Sequence, residues 1–194
     1  MAQSTKQIIM ETFLELLEEL PFDKITVTDI VQKCNVNRNT FYYHFLDIYD
    51  LLDEVLENDA EKLLSANSLT ESKVSFGTWV EGCRNAIQFI KLKKKTAYHL
   101  YNSEGKTRME DFLYKVINND VLFYLKELSA EKNIQEEVLI MLAQFYAHAL
   151  AGTFYDWLKS GMNYDLIEYL IKIDKILEGN FKEHLASLEG IRLP

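Results

Sequence analysis

Apolar residues recur along most of this chain at intervals of three and four positions, which is the spacing of one face of an α-helix. The first stretch with this pattern contains Ile8, Ile9, Phe13, Leu16, Leu17 and Leu20. Ser4 or Thr5 is placed to cap it, and Pro21 predicts its end because helices usually stop before a proline. The chain therefore begins with a predicted amphipathic helix.

Two short helical patterns follow, separated by a few polar or small residues. Thr26 or Thr28 is suited to cap the first of them. Asn35 stands where a helix needs a left-handed residue after its last turn, and Asn tolerates that conformation. Asn37 is a good cap for the next helix, which we expect to run to about residue 45.

The same periodicity continues to the end of the chain, with Asp47 as the predicted cap of a fourth helix. The predicted ranges are 48–66, 74–92, 94–102, 106–129, 131–159 and 164–178, and a short tail helix is compatible with 181–188. Only two prolines and seven glycines occur in 194 residues, which is little turn-forming sequence for a β protein. The predicted fold is all-α, with about nine helices.

Composition narrows the class of protein further. With 48% hydrophobic residues the chain is globular, and Cys34 and Cys83 are too few for a disulfide framework and lack zinc-ligand spacing. Acidic residues interrupt the N-terminal apolar stretch, so neither a signal peptide nor a membrane anchor is predicted. No GxSxG, HExxH, P-loop or Rossmann pattern is present. We expect a cytoplasmic protein that is not an enzyme, with no metal, no cofactor and no membrane partner.

The two short helices and their turn, after a longer helix, form the pattern of a helix-turn-helix motif. With Phe41 and Phe45 facing inward, the other positions of the third helix point outward. Arg38 and Asn39 can then reach base edges in the major groove, where Arg favours guanine and Asn favours adenine. The candidate DNA-contacting residues are Thr26, Thr28, Arg38, Asn39, Thr40, Tyr42, Tyr43 and His44. The alternative is that the aromatic residues fill the core of a helical bundle.

Net charge opposes this interpretation. The whole chain carries −9, and its first fifty residues hold four Lys or Arg against eight Asp or Glu, a net of −4. Nucleic-acid-binding domains are usually basic. A DNA-binding role therefore depends on the local arrangement of side chains, because bulk charge does not supply it.

The stretch KITVTDIVQKCNVNRNTFYYHFLDIYDLL resembles the DNA-binding segment of the tetracycline-repressor (TetR) family of bacterial regulators. The matching elements are Thr26-Val27, Ile30, Val36, Thr40-Phe41-Tyr42, His44-Phe45 and Asp50-Leu51-Leu52. The resemblance implies a homodimeric regulator with a DNA-binding domain at 1–47 and an effector-binding and dimerisation domain at 48–194. It also places the family's DNA contacts on the candidate residues given above. The family commonly has lysine where Ile48 stands, and glycine where Asn35 stands.

The segment FYAHALAGTFYDWLKSGMNYD is similar to a TetR subgroup that contains regulators of dihydroxyacetone-kinase operons, and LYNSEG and PFDKIT fit the same subgroup. The subgroup mixes repressors with an activator that works with a protein co-activator. We expect a repressor on an inverted-repeat operator, controlled by a small-molecule effector. The alternative is an activator, or a regulator controlled by a protein partner, with no small-molecule ligand.

Two helices near the C-terminus have more apolar surface than one packed face requires. Small residues from Ala147 to Thr153 allow close helix approach, and LIEYLIKIDKIL is apolar around most of its circumference. The predicted dimer-interface residues are Ala149, Thr153, Trp157, Ile167, Leu170 and Ile171. The predicted ligand-binding residues are Trp79, Cys83, Tyr101, Phe145 and His148. For both sets the alternative is ordinary core packing.

Overall fold

The computed structural model describes residues 4–66 and 76–176 of the chain. In those two ranges the chain forms nine α-helices and a 3₁₀ turn at Phe22–Lys24, with no β-strand. The helices are α1 (Thr5–Glu19), α2 (Val27–Lys33), α3 (Arg38–His44), α4 (Ile48–Ala66), α5 (Phe76–Leu92), α6 (Lys94–Tyr101), α7 (Lys106–Leu128), α8 (Glu136–Lys159) and α9 (Leu166–Ile176). The predicted all-α class is confirmed, and the tail helix at 181–188 lies outside the described residues.

Most helix limits agree closely with those predicted, but α8 begins at Glu136 and not at residue 131. The hydroxyl of Ser129 donates to the main-chain oxygen of Leu125 at 2.7 Å. The amide of Lys132 donates to the oxygen of Ser129 at 2.8 Å. These residues therefore close the end of α7 and do not open the next helix.

The described residues belong to two compact units. Of the described residues, the first unit contains 4–66 and 89–112, and the second contains 76–88 and 113–176. Helix α6 is thus in the same unit as α1 to α4. The predicted functional division at residue 47 stays a prediction.

The core of the first unit is built by inward side chains of α1 to α4. Its fully buried members include Ile9, Phe13, Leu17, Phe22, Ile30, Phe41, Leu51 and Leu52. Helix α6 packs along α1, and Nδ1 of His99 lies 2.7 Å from the main-chain oxygen of Leu17. The helical donor to that oxygen would be residue 21, which is a proline and has no N–H. His99 therefore supplies the hydrogen bond that Pro21 cannot make.

A second set of contacts ties α4 to the start of α7 within the same unit. The hydroxyl of Tyr49 donates to Oε2 of Glu104 at 3.2 Å, and this bond raises the pKa of Tyr49. The guanidinium of Arg108 lies 5.4 Å from the centre of the Tyr49 ring and pairs with Asp53. Gly105 is close by in sequence, and a Cβ there would collide with the side chain of Leu100.

In the second unit, α7 and α8 share a core of Val121, Leu125, Leu139 and Ala143. Trp157 of α8 is fully buried, and its Nε1–H donates to the main-chain oxygen of Tyr164 at 2.9 Å. The indole N–H thus has its hydrogen-bond acceptor within the same chain, and the ring is buried within that chain as well.

Among the described helices, α8 alone is long and apolar enough to suit a membrane span. Length and composition are weak criteria, because core helices of water-soluble proteins meet them as well. In α8 the buried positions Val138, Ala143 and Ala147 alternate with exposed ones such as Met141 and Phe145. One side of this helix therefore packs within the chain, while the other side is exposed.

Candidate nucleic-acid interface

Thr26 begins α2 with a capping box. Its Oγ1 accepts the N–H of Asp29 at 3.2 Å, and its amide donates to Oδ2 of Asp29 at 2.9 Å. Its hydroxyl also donates to that carboxylate at 2.6 Å, and this bond is the main reason that the pKa of Asp29 is lowered. The hydroxyl proton of Thr26 is therefore used within the chain. Thr28 lies exposed two positions later.

The turn between α2 and α3 has the geometry predicted from its asparagines. Asn35 has φ 52°, and its amide donates to the oxygen of Gln32 at 3.3 Å. The amide of Val36 donates to the oxygen of Val31 at 3.0 Å, which completes a Schellman motif. Oδ1 of Asn37 accepts the N–H of Thr40 at 2.8 Å and so caps α3, as predicted. The turn therefore fixes the direction in which α3 runs relative to α2.

Helix α3 has one buried side and one exposed side. Phe41 and Phe45 are 0% and 2% exposed, with ring centres 5.7 Å apart, which confirms their predicted inward direction. Tyr42 and Tyr43 are 47% and 84% exposed. The exposed or half-buried residues of α3 are Arg38, Asn39, Thr40, Tyr42, Tyr43 and His44. The six candidate DNA-contacting residues of this helix thus share its outer surface.

Acidic residues pair with most cations near this surface. Nζ of Lys6 lies 2.6 Å from Glu54, and Nζ of Lys33 lies 3.4 Å from Glu15 and 3.3 Å from Glu19. Burial lowers the pKa of Lys33, but the bonds and charges of the two glutamates outweigh it and the net pKa is raised. Lys24 lies 3.9 Å from Asp23. Of the lysines and arginines within residues 4–50, Arg38 is the one for which the structure shows no acidic partner.

One exposed residue beside α3 was not predicted. Leu46, in the link from α3 to α4, is 83% exposed, and its amide donates to Oδ2 of Asp50 at 2.8 Å. It follows the inward Phe45 and precedes Asp47, whose Oδ1 caps α4 by accepting the amide of Asp50 at 2.9 Å. In the sequence, Leu46 lies outside the apolar stripes of both α3 and α4, and that position could have indicated that it is exposed.

The structure brings together only two of the five predicted ligand-binding residues. Trp79 and Cys83 of α5 lie beside Asp120 and Tyr124 of α7. Nε1 of Trp79 donates to Oδ2 of Asp120 at 2.8 Å, and the rings of Trp79 and Tyr124 are 6.0 Å apart. Sequence reasoning missed Asp120 and Tyr124, although their spacing on α7 puts them on one face.

Burial governs the titration of this cluster. It raises the pKa of the Cys83 thiol to about 12, with a further contribution from the charge of Asp120. Burial also raises the pKa of Asp120, against the opposing effect of its bond from Trp79. The cluster therefore favours an uncharged thiol, and it disfavours a second negative charge.

The other three predicted ligand residues lie elsewhere. Tyr101 is buried in the first compact unit. Phe145 is 69% exposed on α8, and its assignment to a ligand site stays a prediction. His148 is exposed, with Nδ1 at 2.7 Å from the oxygen of Gln144 and its ring 4.5 Å from that of Tyr114.

Two of the open depressions among the described residues contain no predicted ligand residue. The first, about 410 Å³, lies in the second unit and is lined by Thr153, Asp156, Tyr164, Asp165, Glu168, Tyr169 and Lys172. The second, about 310 Å³, lies in the first unit and is lined by Glu11, Leu14, Glu15, Glu18, Lys93 and Thr96. No cluster with metal-ligand geometry occurs in the described part of the chain.

The predicted dimer residues divide into exposed and buried groups. Trp157 and Ile167 are 0% and 4% exposed, so they belong to the core of the chain itself, and their assignment to an interface is corrected. Ala149 is exposed, while Thr153, Leu170 and Ile171 are half-buried. Exposed apolar residues of α8 and α9 that are not in the predicted dimer set include Met141, Phe145, Tyr169 and Ile173.

Two family sequence models match this chain. The one described as "Bacterial regulatory proteins, tetR family" covers residues 9–55. The one described as "Transcriptional regulator C-terminal region" covers residues 77–179. Together they take in most of α1 to α9; the helical residues that neither covers are the first four of α1, residues 56–66 of α4 and the first residue of α5.

Two curated proteins are similar over part of their length. The HTH-type dhaKLM operon transcriptional activator DhaS of Lactococcus lactis is 36% identical over 64 residues, which are 33% of this chain and 34% of that protein. The uncharacterized HTH-type transcriptional regulator YxbF of Bacillus subtilis is 24% identical over 132 residues, which are 67% of this chain and 35% of that protein. The matches therefore span about a third of each relative.

Solved structures share the fold over nearly the whole chain. The dihydroxyacetone kinase operon activator DhaS has a TM-score of 0.67 at 18% identity, covering 96% of this chain and 98% of that one. The fatty acid degradation regulator FadR of Bacillus halodurans has a TM-score of 0.62 at 16% identity and full coverage of both chains, 100% and 100%. At these identities the likeness concerns the fold alone.

Proposed function

The chain belongs to the TetR family of bacterial transcriptional regulators, and on that basis we propose that it binds an inverted-repeat operator in double-stranded DNA as a homodimer. Its DNA-binding domain would be residues 1–47, and residues 48–194 would provide dimerisation and control. Because its target is chromosomal DNA, we place it in the bacterial cytoplasm, and we assign it no catalytic role.

The observation that carries the DNA-binding proposal is the two-sided character of α3. Phe41 and Phe45 anchor the helix in the core, and the Schellman turn at Asn35 sets its direction. In the proposal Arg38 and Asn39 read base edges, Arg by bidentate bonds to guanine and Asn to adenine. The residues assigned to phosphates and neighbouring contacts are Thr28, Thr40, Tyr42, Tyr43 and His44. Thr26 is assigned the supporting role of holding the start of α2, because its hydroxyl already donates to Asp29.

The exposed apolar positions of α8 and α9 support the homodimer. Met141 and Phe145 of α8 are 47% and 69% exposed, and Tyr169 and Ile173 of α9 are 43% and 36% exposed. Two-fold symmetry would place this surface against its own copy and remove it from water. We include Ala149, because a small exposed residue allows two helices to approach closely. The proposed dimer surface consists of Met141, Phe145, Ala149, Tyr169 and Ile173.

For control, we propose a repressor that a small-molecule effector releases from DNA. The candidate ligand residues are Trp79 and Cys83 of the α5–α7 cluster, joined by Asp120 and Tyr124. An effector can shift operator occupancy only by its difference in affinity for the DNA-bound and free conformations. Ligand contact should therefore alter the packing of these two helices.

A second candidate is an activator, or a regulator that responds to a protein partner. The similarity to DhaS, which is named an operon activator, favours this candidate. The two candidates share the DNA-binding and dimer surfaces and differ in the sign and the agent of control.

Selection of bound duplexes from a random-sequence DNA pool tests the proposal. The purified full-length chain should enrich a short inverted repeat, and repeating the selection with a metabolite extract should reduce its recovery if an effector acts as proposed. Enrichment of the same repeat with and without extract would favour the second candidate. Failure to enrich any sequence would refute the DNA-binding role.

A further inference from the structure

Two side chains on the exposed side of α3 are in contact with each other. The guanidinium of Arg38 lies over the ring of Tyr42, with 5.7 Å between the guanidinium carbon and the ring centre. Nη2 of Arg38 is also 3.4 Å from the hydroxyl oxygen of Tyr42, which is placed to accept from it. The residues are four positions apart, so both side chains lie on the same face of the helix.

Tyr42 is itself held against the core. Its ring meets the ring of Phe41 edge-on, with 5.4 Å between centres and an angle of 87° between planes. Phe41 is fully buried, whereas Tyr42 is 47% exposed. The buried Phe41 ring therefore supports the ring of Tyr42, and the ring of Tyr42 contacts the guanidinium of Arg38.

No carboxylate competes for this guanidinium among residues 4–50. The lysines of that range are paired with acids, whereas the structure shows Arg38 in contact with an aromatic ring. An arginine loses substantial rotamer freedom when it is fixed in one geometry. Contact with Tyr42 removes part of that freedom before DNA arrives, which lowers the entropy lost on binding.

We propose that Tyr42 is a positioning residue that holds the Arg38 guanidinium in the orientation from which it reads a guanine. This inference rests on the proposed DNA-binding function and deepens it. A phenol oxygen can accept one hydrogen bond while its own proton donates another. Tyr42 therefore accepts from Arg38 and keeps a proton to donate to a phosphate oxygen. Its ring serves base specificity, and its hydroxyl serves overall affinity.

Paired substitutions separate these two contributions. Tyr42→Phe keeps the ring and removes the hydroxyl, whereas Tyr42→Leu removes both. Each is combined with Arg38→Ala in a double-mutant cycle. The probe is the duplex that the wild-type protein enriches from the random pool, together with its single-base variants. Tyr42→Gln repeats the loss of the ring with a polar side chain, in case Tyr42→Leu folds poorly.

We expect Tyr42→Leu and Tyr42→Gln to reduce discrimination about twofold to fivefold at one base pair of each half-site, which is the range of an exposed cation–π contact. Arg38→Ala should abolish discrimination at that same base pair, and adding Tyr42→Leu should then change it no further. Tyr42→Phe keeps the ring contact and loses the hydroxyl that accepts from Arg38, so it should reduce the discrimination less than Tyr42→Leu does, while weakening all duplexes. Tyr43→Leu, which removes a neighbouring ring away from Arg38, should add independently to Arg38→Ala.

The opposite pattern would overturn the inference. If Tyr42→Leu and Tyr42→Gln weakened every duplex equally and left base discrimination intact, Tyr42 would be a phosphate contact alone. Full additivity with Arg38→Ala would lead to the same conclusion. A wild-type protein that enriches no sequence would refute the proposed function first, and the positioning role with it.

Discussion

Nδ1 of His99 on α6 lies 2.7 Å from the main-chain oxygen of Leu17 in the last turn of α1. That oxygen would otherwise lack a helical donor, because the residue four positions later is Pro21. Pro21 thus leaves the Leu17 oxygen without a helical donor, and His99, 82 positions further along the chain, donates to it instead. The end of α1 and helix α6 are joined by a specific bond as well as by apolar packing.

Loss of this bond should destabilise the fold. For His99→Leu, which keeps an apolar side chain but no donor, we expect about 1–3 kcal/mol lower free energy of unfolding, because a buried carbonyl is left unsatisfied. His99→Gln retains an N–H donor and should recover part of the loss. Urea unfolding followed by circular dichroism measures both variants. Equal stability of His99→Leu and the wild type would show that the contact contributes nothing.

Charge at the proposed dimer surface should separate the subunits. In Phe145→Glu a carboxylate replaces a side chain that is 69% exposed, and burying it against its symmetry copy would be costly. We expect a dimer mass for the wild type and a monomer mass for the variant in sedimentation at micromolar concentration. Phe123→Glu is the matched control, since Phe123 is 57% exposed on α7, outside this surface. A monomeric wild type, or a Phe145→Glu dimer, would contradict the assignment.

The thiol of Cys83 should resist alkylation in the folded protein. In the unfolded chain the thiol has its ordinary pKa near 9, so much of it is thiolate at that pH. In the folded chain burial raises the pKa of Cys83 to about 12. The folded pKa lies above the unfolded one, so stability is also lost as pH rises from about 9 towards 12. Iodoacetamide should label native Cys34→Ser protein far more slowly than the same protein in urea.

Asp120→Asn offers a test of the second cause of that shift. Removing the carboxylate charge should lower the pKa of Cys83 and speed its alkylation, because the negative charge opposes thiolate formation. Glu127→Gln, a charge removal on the same helix, should leave the rate unchanged. If iodoacetamide labelled native and urea-unfolded Cys34→Ser protein at equal rates, Cys83 would not be in the buried environment described.

DNA binding should depend weakly on salt. Of the lysines and arginines within residues 4–50, only Arg38 shows no acidic partner, so a dimer brings about two such cations to DNA. At about 0.9 per neutralised phosphate, the slope of log K against log salt concentration should be about −2 or shallower. Ile48→Lys, which restores the family's common lysine, should steepen it by about 0.9 per subunit. A much steeper wild-type slope would show that further cations contact DNA.

Local rules predicted the turn between α2 and α3 and the exposed side of α3, because each step depended on nearby residues. Asn35 takes the left-handed backbone, Asn37 caps α3, and Phe41 and Phe45 face inward, all as their spacing indicated. The bond from His99 to Leu17 joins residues far apart in the sequence, so periodicity could not reveal it.

The dimer and ligand residues were harder to predict for a different reason. Apolar spacing shows which side of a helix avoids water, but it does not say whether its own chain or a second copy covers it. Trp157 and Ile167 proved to be core residues, while Phe145 proved to be exposed. In the same way, a count of charges could not show that Lys33 is held by Glu15 and Glu19.

The affinity of the selected inverted-repeat duplex for the wild type and for Arg38→Ala is the most direct test of the proposal that α3 reads DNA. Fluorescence anisotropy at fixed salt, with each half-site base varied in turn, gives both affinity and specificity. We predict that Arg38→Ala loses about 1–3 kcal/mol and relaxes preference at a single base pair of each half-site. Unchanged affinity and preference in Arg38→Ala would contradict the proposal that α3 reads the operator.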